Sequence, residues 1–366
     1  MRRKRRSLRK HAQKKRIHSI ILFNLKMNAP DPNFYHLTGF DGYGCLLLLK
    51  DREILFVPKM EYERAKREVK GMPVRILKGK LSENIRGHVR GKAVGIDYNA
   101  VTLNFMKSLR KEFRKKRFVD VSSVLLELRK TKTEREEKNL RKACRMSDNI
   151  LRKCINKLKR KGFRTEQDVA DFLEQETMRK GCELSFKPIV ASGANSAEAH
   201  HPPQNRKLRK GFCIIDFGVR YKGYCSDTTR TIYMGEPSRK EMDAYDHLLK
   251  VQKSLINGLE EGKKASRVYD ECIEKLGDYS EYFTHGLGHG VGVEIHELPN
   301  ITANSKDLIE AGAVFTIEPG VYFPGKFGIR IEDTVLMGET PVVLTKISKE
   351  LKTVKRTEKK KAKKNE

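Results

Sequence analysis

The chain carries 77 Lys and Arg against 47 Asp and Glu over 366 residues, a formal net charge of +30, and 38% of its residues are hydrophobic. That length and apolar share suffice for two domains with substantial cores and exclude a wholly disordered chain, while the charge excess directs attention to nucleic acid or an anionic surface. Seven cysteines (Cys45, Cys144, Cys154, Cys182, Cys213, Cys225 and Cys272) are odd in number and include no CxxC pair, which excludes a disulfide framework and a zinc-thiolate site and implies reduced thiols in a cytoplasmic protein.

Residues 1–16, MRRKRRSLRKHAQKKR, form a like-charge block that reads as a basic disordered tail. The apolar stretch that follows, 17–25, is interrupted by His18, Ser19 and Asn24, too short and mixed for a membrane span or a signal peptide. From 17 to 128 short strands and helices alternate, as expected of a small α/β domain. Strands are expected at 20–23, 46–49, 54–57, 74–77 and 93–96, and helices at 62–69 and 103–113, with Tyr35, His36 and Asp41 in a loop.

From 129 to 346 a second domain is expected. Thr133 with Glu136 is a capping box, so a long charged helix begins there and leads from the first domain to the second. A cap at Thr165 precedes the amphipathic set Val169, Phe172 and Leu173. A strand at 189–192 leads into a loop with His200 and His201, where Pro202-Pro203 stops regular structure. Ser238 with Glu241 caps another helix, and one more is expected at 266–276. Residues 347–366 read as a basic C-terminal tail.

The chemistry lies in three stretches. In IIDFGVRYKGYCSDTTRT, two apolar-alternating runs flank a polar turn, so Asp216 and Asp227 are expected to face each other across a hairpin. In VFTIEPGVYFPGKFGIRIEDTV, Glu318 and Glu332 lie symmetrically about Gly325 of a Pro-Gly turn, a second hairpin with a second carboxylate pair. Between them THGLGHGVGV alternates glycine with larger residues, which puts His285 and His289 on one face of an extended segment packed closely on its glycine side.

Like charges opposed on neighbouring strands are destabilising unless something positive stands between them. Oxygen donors with one imidazole suit Mn²⁺, Co²⁺, Fe²⁺ or Zn²⁺, and four carboxylates balance two such ions better than one. Two divalent ions about 3.5–4 Å apart can share a water, lower its pKa and hold a carbonyl oxygen, the equipment of a hydrolase. On this reading Asp227 and Glu332 bridge the ions, Asp216 completes one, and His289 with Glu318 completes the other. Glu318 can also act as general base. Arg330, two residues before Glu332, can hold a ligand carboxylate, and His285 and His296 are free to donate hydrogen bonds to a substrate carbonyl or tetrahedral intermediate.

With IVASGANSAEAH and THGLGHGVGVEIHE, these segments resemble the motif series of the pita-bread metallopeptidases, in the Xaa-Pro aminopeptidase and prolidase branch. The resemblance implies an α+β architecture: a C-terminal pita-bread catalytic domain preceded by a smaller creatinase/prolidase-like α/β domain. The family's Asp, Asp, His, Glu, Glu ligand set falls on Asp216, Asp227, His289, Glu318 and Glu332. The resemblance further implies substrate contacts from His200 and His296, assistance from His285, two Mn²⁺ or Co²⁺ ions, a peptide substrate with proline in second position, and a homodimer. The His201-Pro202-Pro203 loop and the absence of Trp depart from the pattern and leave dipeptide preference open. The basic tails motivate a second reading, a catalytically silent pita-bread protein that binds nucleic acid or a protein partner. Such relatives lose metal ligands, and this chain keeps all five.

Overall fold

In the computed structural model, which describes residues 1–25 and 30–354, the apolar runs of the first part of the chain pair into one six-stranded sheet. Its strands are β1 (Ser19–Asn24), β2 (Gly44–Leu49), β3 (Glu53–Val57), β4 (Val74–Ile76), β5 (Ala93–Ile96) and β6 (Arg117–Asp120), in the order β4-β3-β2-β1-β5-β6. The β1–β2 and β2–β3 pairs are antiparallel and the others parallel. Period-two alternation sends Ile20, Leu22, Leu46 and Leu48 to one buried cluster and Ile21, Phe23, Cys45 and Leu47 to another, so both faces are covered. The covering helices are α1 (Arg2–Lys14), α2 (Pro32–Thr38), α3 (Tyr62–Glu68), α4 (Leu81–Ile85), α5 (Leu103–Glu112) and α6 (Ser122–Lys130). This unit spans Met1–Arg129.

Two expectations fail here. The basic N-terminal segment is not a disordered tail. Leu8 and Ala12, four residues apart, lie in the same core cluster as Ile20 and Leu46, and the buried Arg5 donates to Glu53 Oε1 at 3.1 Å and to the Leu37 carbonyl at 2.7 Å. Composition concealed a helical stripe of one turn's spacing. The loop expected around Tyr35 and His36 is helix α2, started by Asp31, whose side chain accepts from the Phe34 N–H, and by proline at the first helical position.

The second unit, Lys130–Glu366, begins with α7 (Glu134–Lys159) and α8 (Glu166–Arg179), each with the expected cap: Glu136 accepts from the Thr133 N–H and Asp168 from the Thr165 N–H. Short β7 (Glu183–Leu184) precedes β8 (Ile189–Ser192). Next come β9 (Gly211–Asp216), β10 (Val219–Tyr221), β11 (Tyr224–Cys225) and β12 (Thr229–Met234), then α9 (Arg239–Asn257) and α10 (Ala265–Leu276). The chain finishes with β13 (Gly288–Gly290), β14 (Glu297–Ile301), β15 (Val314–Ile317), β16 (Gly320–Phe323), β17 (Phe327–Arg330), β18 (Asp333–Met337), β19 (Pro341–Val343) and β20 (Thr353–Val354). Two larger sheets result, β20-β12-β9-β8 and β14-β13-β15-β18-β19, with β16-β17 as a separate ribbon.

The Gly325 hairpin has the expected register. Gly320 pairs Arg330 and Ile317 pairs Asp333, so every pair is centred on Gly325, which takes the left-handed φ of 69°. The first hairpin is shifted from expectation. Lys222 (φ 47°) and Gly223 (φ 76°) form its two-residue turn, so Asp216 pairs Thr229 rather than Asp227, which falls in the break between β11 and β12. Residues 347–354 are not part of a tail, since Ile347 and Val354 are buried and Lys349 donates to Asp333; the rest of the expected C-terminal tail, 355–366, lies outside the described residues.

Candidate metal centre

Four of the five expected ligands sit where a strand ends or breaks, at positions from which a side chain leaves the ladder. Asp216 ends β9, Asp227 precedes β12, Glu318 follows β15 and Glu332 precedes β18, while His289 is the middle residue of β13. The glycines flanking His289 permit that placement. A Cβ on Gly288 would stand 2.0 Å from the Thr316 carbonyl oxygen, and one on Gly290 would stand 2.1 Å from that of Leu298.

The side chains converge. One donor atom each from Asp227, His289 and Glu332 lies within 4.8 Å of the others. His289 Nε2 is 3.5 Å from Asp227 Oδ2 and 3.4 Å from Glu318 Oε1. Its Nδ1 lies 3.1 Å from the Gly290 carbonyl, an acceptor only, so Nδ1 carries the proton and Nε2 turns a lone pair toward two carboxylates. Asp216 enters through Arg330, whose Nη2 donates to Asp216 Oδ2 at 2.7 Å. Asp216, Asp227, His289, Glu318 and Arg330, with His200, His285 and His296, line a cavity of about 500 Å³ whose walls include Phe186, Ile189 and Pro202, while Glu332 is buried outside that lining.

The electrostatics are those of a site built for cations. Burial, together with Glu332, Asp216 and Glu318, holds the Asp227 carboxyl well above the usual range. Glu332 is raised in the same way by burial, Glu318 and Asp216, and Glu318 is pushed up to about 7, chiefly by burial. Burial lowers His289. Asp216 Oδ1 and Glu332 Oε1 are buried acceptors with no donor. Four carboxylates against one guanidinium, two orphaned oxygens and an imidazole lone pair aimed among them fit divalent cations, which would supply the missing positive charge.

Around these groups lies a set of residues that sequence reasoning missed. Thr229 Oγ1 donates to Glu332 Oε2 (2.7 Å) and accepts from Arg330 Nε (3.2 Å). Thr316 Oγ1 accepts from the His289 N–H (3.0 Å) and donates to Glu318 Oε1 (3.1 Å). Each threonine is two residues from an expected ligand on the same strand face, so period two alone could have found them. Tyr322 gave no such signal. Its hydroxyl accepts from Arg330 Nη1 at 2.7 Å and lies 3.0 Å from His285 Nε2. Since His285 Nδ1 faces the Gly286 carbonyl at 2.7 Å and burial, then Arg330, pushes the ring down to about 4, the neutral His285 accepts at Nε2 from Tyr322 and is not free to donate there. Glu166, the first residue of α8, has no motif around it that marks a role. Its buried carboxylate accepts from the Ser192 N–H and hydroxyl, from Asn195 and from His201, and so pins the loop that carries His200.

Arg330 holds Asp216, not the neighbouring Glu332, and also donates to the Ala199 carbonyl at 3.1 Å. Burial works against its charge, but Tyr322, Asp216 and Glu318 outweigh that and keep it firmly protonated.

Comparison with known proteins identifies the family. Residues 138–339 match metallopeptidase family M24 and residues 4–131 the creatinase/prolidase N-terminal domain, which includes most of α1. The chain is 34% identical over 331 residues to the Xaa-Pro dipeptidase of Pyrococcus horikoshii, covering 88% of this chain and 93% of that protein. Among solved structures it is similar to the Xaa-Pro dipeptidase from Bacillus anthracis (30% identity, TM-score 0.88, 96% and 99% of the two chains). It is also similar to the X-Pro aminopeptidase from Thermotoga maritima (26% identity, TM-score 0.85, 94% and 100%). No helix among the described residues is long and apolar enough to cross a membrane. With a creatinase/prolidase N-terminal domain ahead of a pita-bread catalytic domain, the chain belongs to metallopeptidase family M24, in its prolidase branch, and is a metal-dependent exopeptidase.

Proposed function

We propose that the chain hydrolyses the Xaa-Pro bond of proline-containing peptides, as an aminopeptidase P or prolidase, with two divalent ions, Mn²⁺ or Co²⁺ before Zn²⁺ or Fe²⁺. The observation that carries this reading is the meeting of Asp216, Asp227, Glu318 and the unprotonated Nε2 of His289 in one cavity, with the buried Glu332 close to Asp227 and His289. Asp227 and Glu332 would be shared between the ions, Asp216 would serve one, and His289 and Glu318 the other. When bound, such a pair acidifies water and polarises a carbonyl.

The chain's own residues do the rest. Glu318, steadied by Thr316, takes the proton of the attacking water as its oxygen bonds to the carbonyl carbon. That proton passes to the proline nitrogen as the C–N bond breaks, and the acid formed on Xaa gives the water's second proton to the new amine, leaving a carboxylate on Xaa and a protonated secondary amine on proline. Arg330 fixes Asp216 and Tyr322 in place throughout. His200 and His296 line the cavity and would meet the peptide, and the apolar wall of Phe186, Ile189 and Pro202 suits a pyrrolidine ring that offers no N–H. A substrate carbonyl arriving at His285 would replace Tyr322 as its partner and needs the proton moved to Nε2, an exchange a neutral imidazole allows. The relatives' names support the Xaa-Pro assignment, and seven free, buried cysteines support a cytoplasmic setting.

The test is protein stripped of metal and reloaded separately with Mn²⁺, Co²⁺ and Zn²⁺, then offered an Xaa-Pro dipeptide, an Xaa-Pro-Yaa tripeptide and a Met-Ala peptide. Turnover of a proline peptide that depends on added ion is expected. Metal-loaded protein that cleaves none of the three, or Met-Ala fastest, overturns the proposal.

A further inference from the structure

Helix α1 packs with Leu8, Ala12 and the Arg5–Glu53 pair, and its remaining surface is almost entirely cationic. Arg2, Arg3, Arg6, Lys10 and Lys14 are exposed, the first turn contains no acidic residue, and no side chain caps the N-terminus. Arg2, Arg6, Lys10 and Lys14 follow one another at i, i+4, a spacing at which like charges destabilise a helix by about 0.2–0.5 kcal/mol per pair. Positive side chains at a helix N-terminus also oppose its dipole. Arg2, Arg6, Lys10 and Lys14 enter no ion pair among the described residues that would account for this arrangement.

The charges are gathered, not scattered. Arg2, Arg3, Arg6, Arg9 and Lys10 join Lys50, just past the end of β2, around a concavity of about 640 Å³ with no acidic and no aromatic residue in its lining. Arg9 is held by Glu53, whereas Arg2, Arg3, Arg6, Lys10 and Lys50 enter no ion pair among the described residues. Five cations therefore face solvent in one concave surface.

We propose that this concavity binds the phosphodiester backbone of a nucleic acid. Guanidinium forks suit phosphate oxygens. Without an aromatic side chain to stack a base, binding is independent of sequence and driven by counterion release. The surface shares no lining residue with the peptidase cavity.

The experiment measures binding of the full-length, metal-loaded protein to a 20-base-pair DNA duplex and to a 20-residue oligouridylate, between 50 and 200 mM salt. Five phosphate contacts predict a duplex affinity that falls about 10²–10³-fold across that range. Replacing Arg3, Arg6, Lys10 and Lys50 with Gln removes four of them and leaves a fall of only a few-fold. The control replaces the equally exposed Arg110, Lys111, Arg114 and Lys115 with Gln, so both variants carry +26 (30 − 4) and differ only in where charge is lost. Control protein that binds like the unsubstituted chain supports the proposal, provided the concavity variant loses affinity and keeps its peptidase rate. The better-bound oligonucleotide then identifies the backbone preferred. Equal losses in the two variants, no binding to either oligonucleotide at 50 mM salt, or binding confined to anionic phospholipid vesicles overturns it.

Discussion

Glu332 and Asp333 are neighbours in sequence, equally buried at 1% and 0% exposure, and their carboxyls are driven in opposite directions. Asp333 lies in a finished network: Arg230 and Thr345 donate to Oδ1 at 2.7 and 2.8 Å, and Gln252 and Lys349 donate to Oδ2. Burial opposes its charge, but Arg230, Lys349 and Gln252 win, and its pKa is lowered. Glu332, on the opposite strand face, has Thr229 at one oxygen and nothing at the other, with Glu318 and Asp216 nearby, and its pKa is raised. Burial is common to both. What separates the structural carboxylate from the proposed metal ligand is the count of donors at its oxygens.

The sharpest way to break the contrast is to neutralise each in turn. Glu332→Gln, or Asp227→Asn, should abolish metal-dependent hydrolysis while metal-free protein keeps or gains thermal stability, because a disfavoured charge has been removed. Measuring kcat/KM beside the melting temperature of the stripped protein checks both halves. Turnover at the original rate with normal metal content would remove these residues from the site. Asp333→Asn should do the reverse and destabilise the fold by about 3–5 kcal/mol in denaturant unfolding, since Arg230 and Lys349 lose their counter-charge.

The pH dependence of the stripped protein should carry both signatures. Asp333 has a depressed folded pKa, so its stabilisation is present above the unfolded value of about 3.9 and is lost as pH falls through the folded one. Glu318 has a raised one, near 7, so folded protein holds a proton that unfolded protein has released, and stability should fall as pH rises from about 4.3 to 7. Unfolding free energies from pH 4 to 8 should show that decline in the stripped protein, shared with the likewise raised Asp227 and Glu332, and Glu318→Gln should make it shallower. A decline unchanged in Glu318→Gln would assign it to another group.

How much of this was legible in the sequence depended on turns and on what a period could reveal. The Gly325 hairpin was read correctly because its register is a simple count about a glycine whose φ of 69° marks the turn. The first hairpin was misread by two residues because Lys222, an unusual residue at positive φ, shares its turn with Gly223, and charge symmetry was taken for strand register. Helix α1 was hidden because two apolar residues among so many cations do not look like a core, although with Arg5 bonded to Glu53 they are enough to dock it. His289, the four carboxylates and Arg330 as the holder of a ligand carboxylate were visible at motif positions; that the carboxylate is Asp216, and that Tyr322 joins Arg330, was not, since these contacts link a ribbon to a different sheet.

That chain provides two smaller tests. Arg330→Lys keeps a positive charge but loses the fork that reaches Thr229, Ala199, Tyr322 and Asp216 at once, so metal affinity should weaken about 10–100-fold, read by competition with a chelator.

Tyr322→Phe should have the mildest effect. It leaves every carboxylate in place and removes only the hydroxyl that links Arg330 Nη1 to His285 Nε2. Arg330 keeps Asp216, Thr229 and Ala199, so metal content should not change. His285 keeps the Gly286 carbonyl at Nδ1 but loses the donor that occupied Nε2. If that hydroxyl only aligns the ring, kcat/KM should fall by about tenfold, the worth of one hydrogen bond near 1.4 kcal/mol. If His285 must release Tyr322 before it can meet a substrate carbonyl, the same change should lower KM while kcat falls, and a steady-state split of the two constants separates the cases. Loss of bound metal in Tyr322→Phe would instead tie this hydroxyl to the carboxylates themselves and erase the distinction between the groups that hold charge and the groups that hold position.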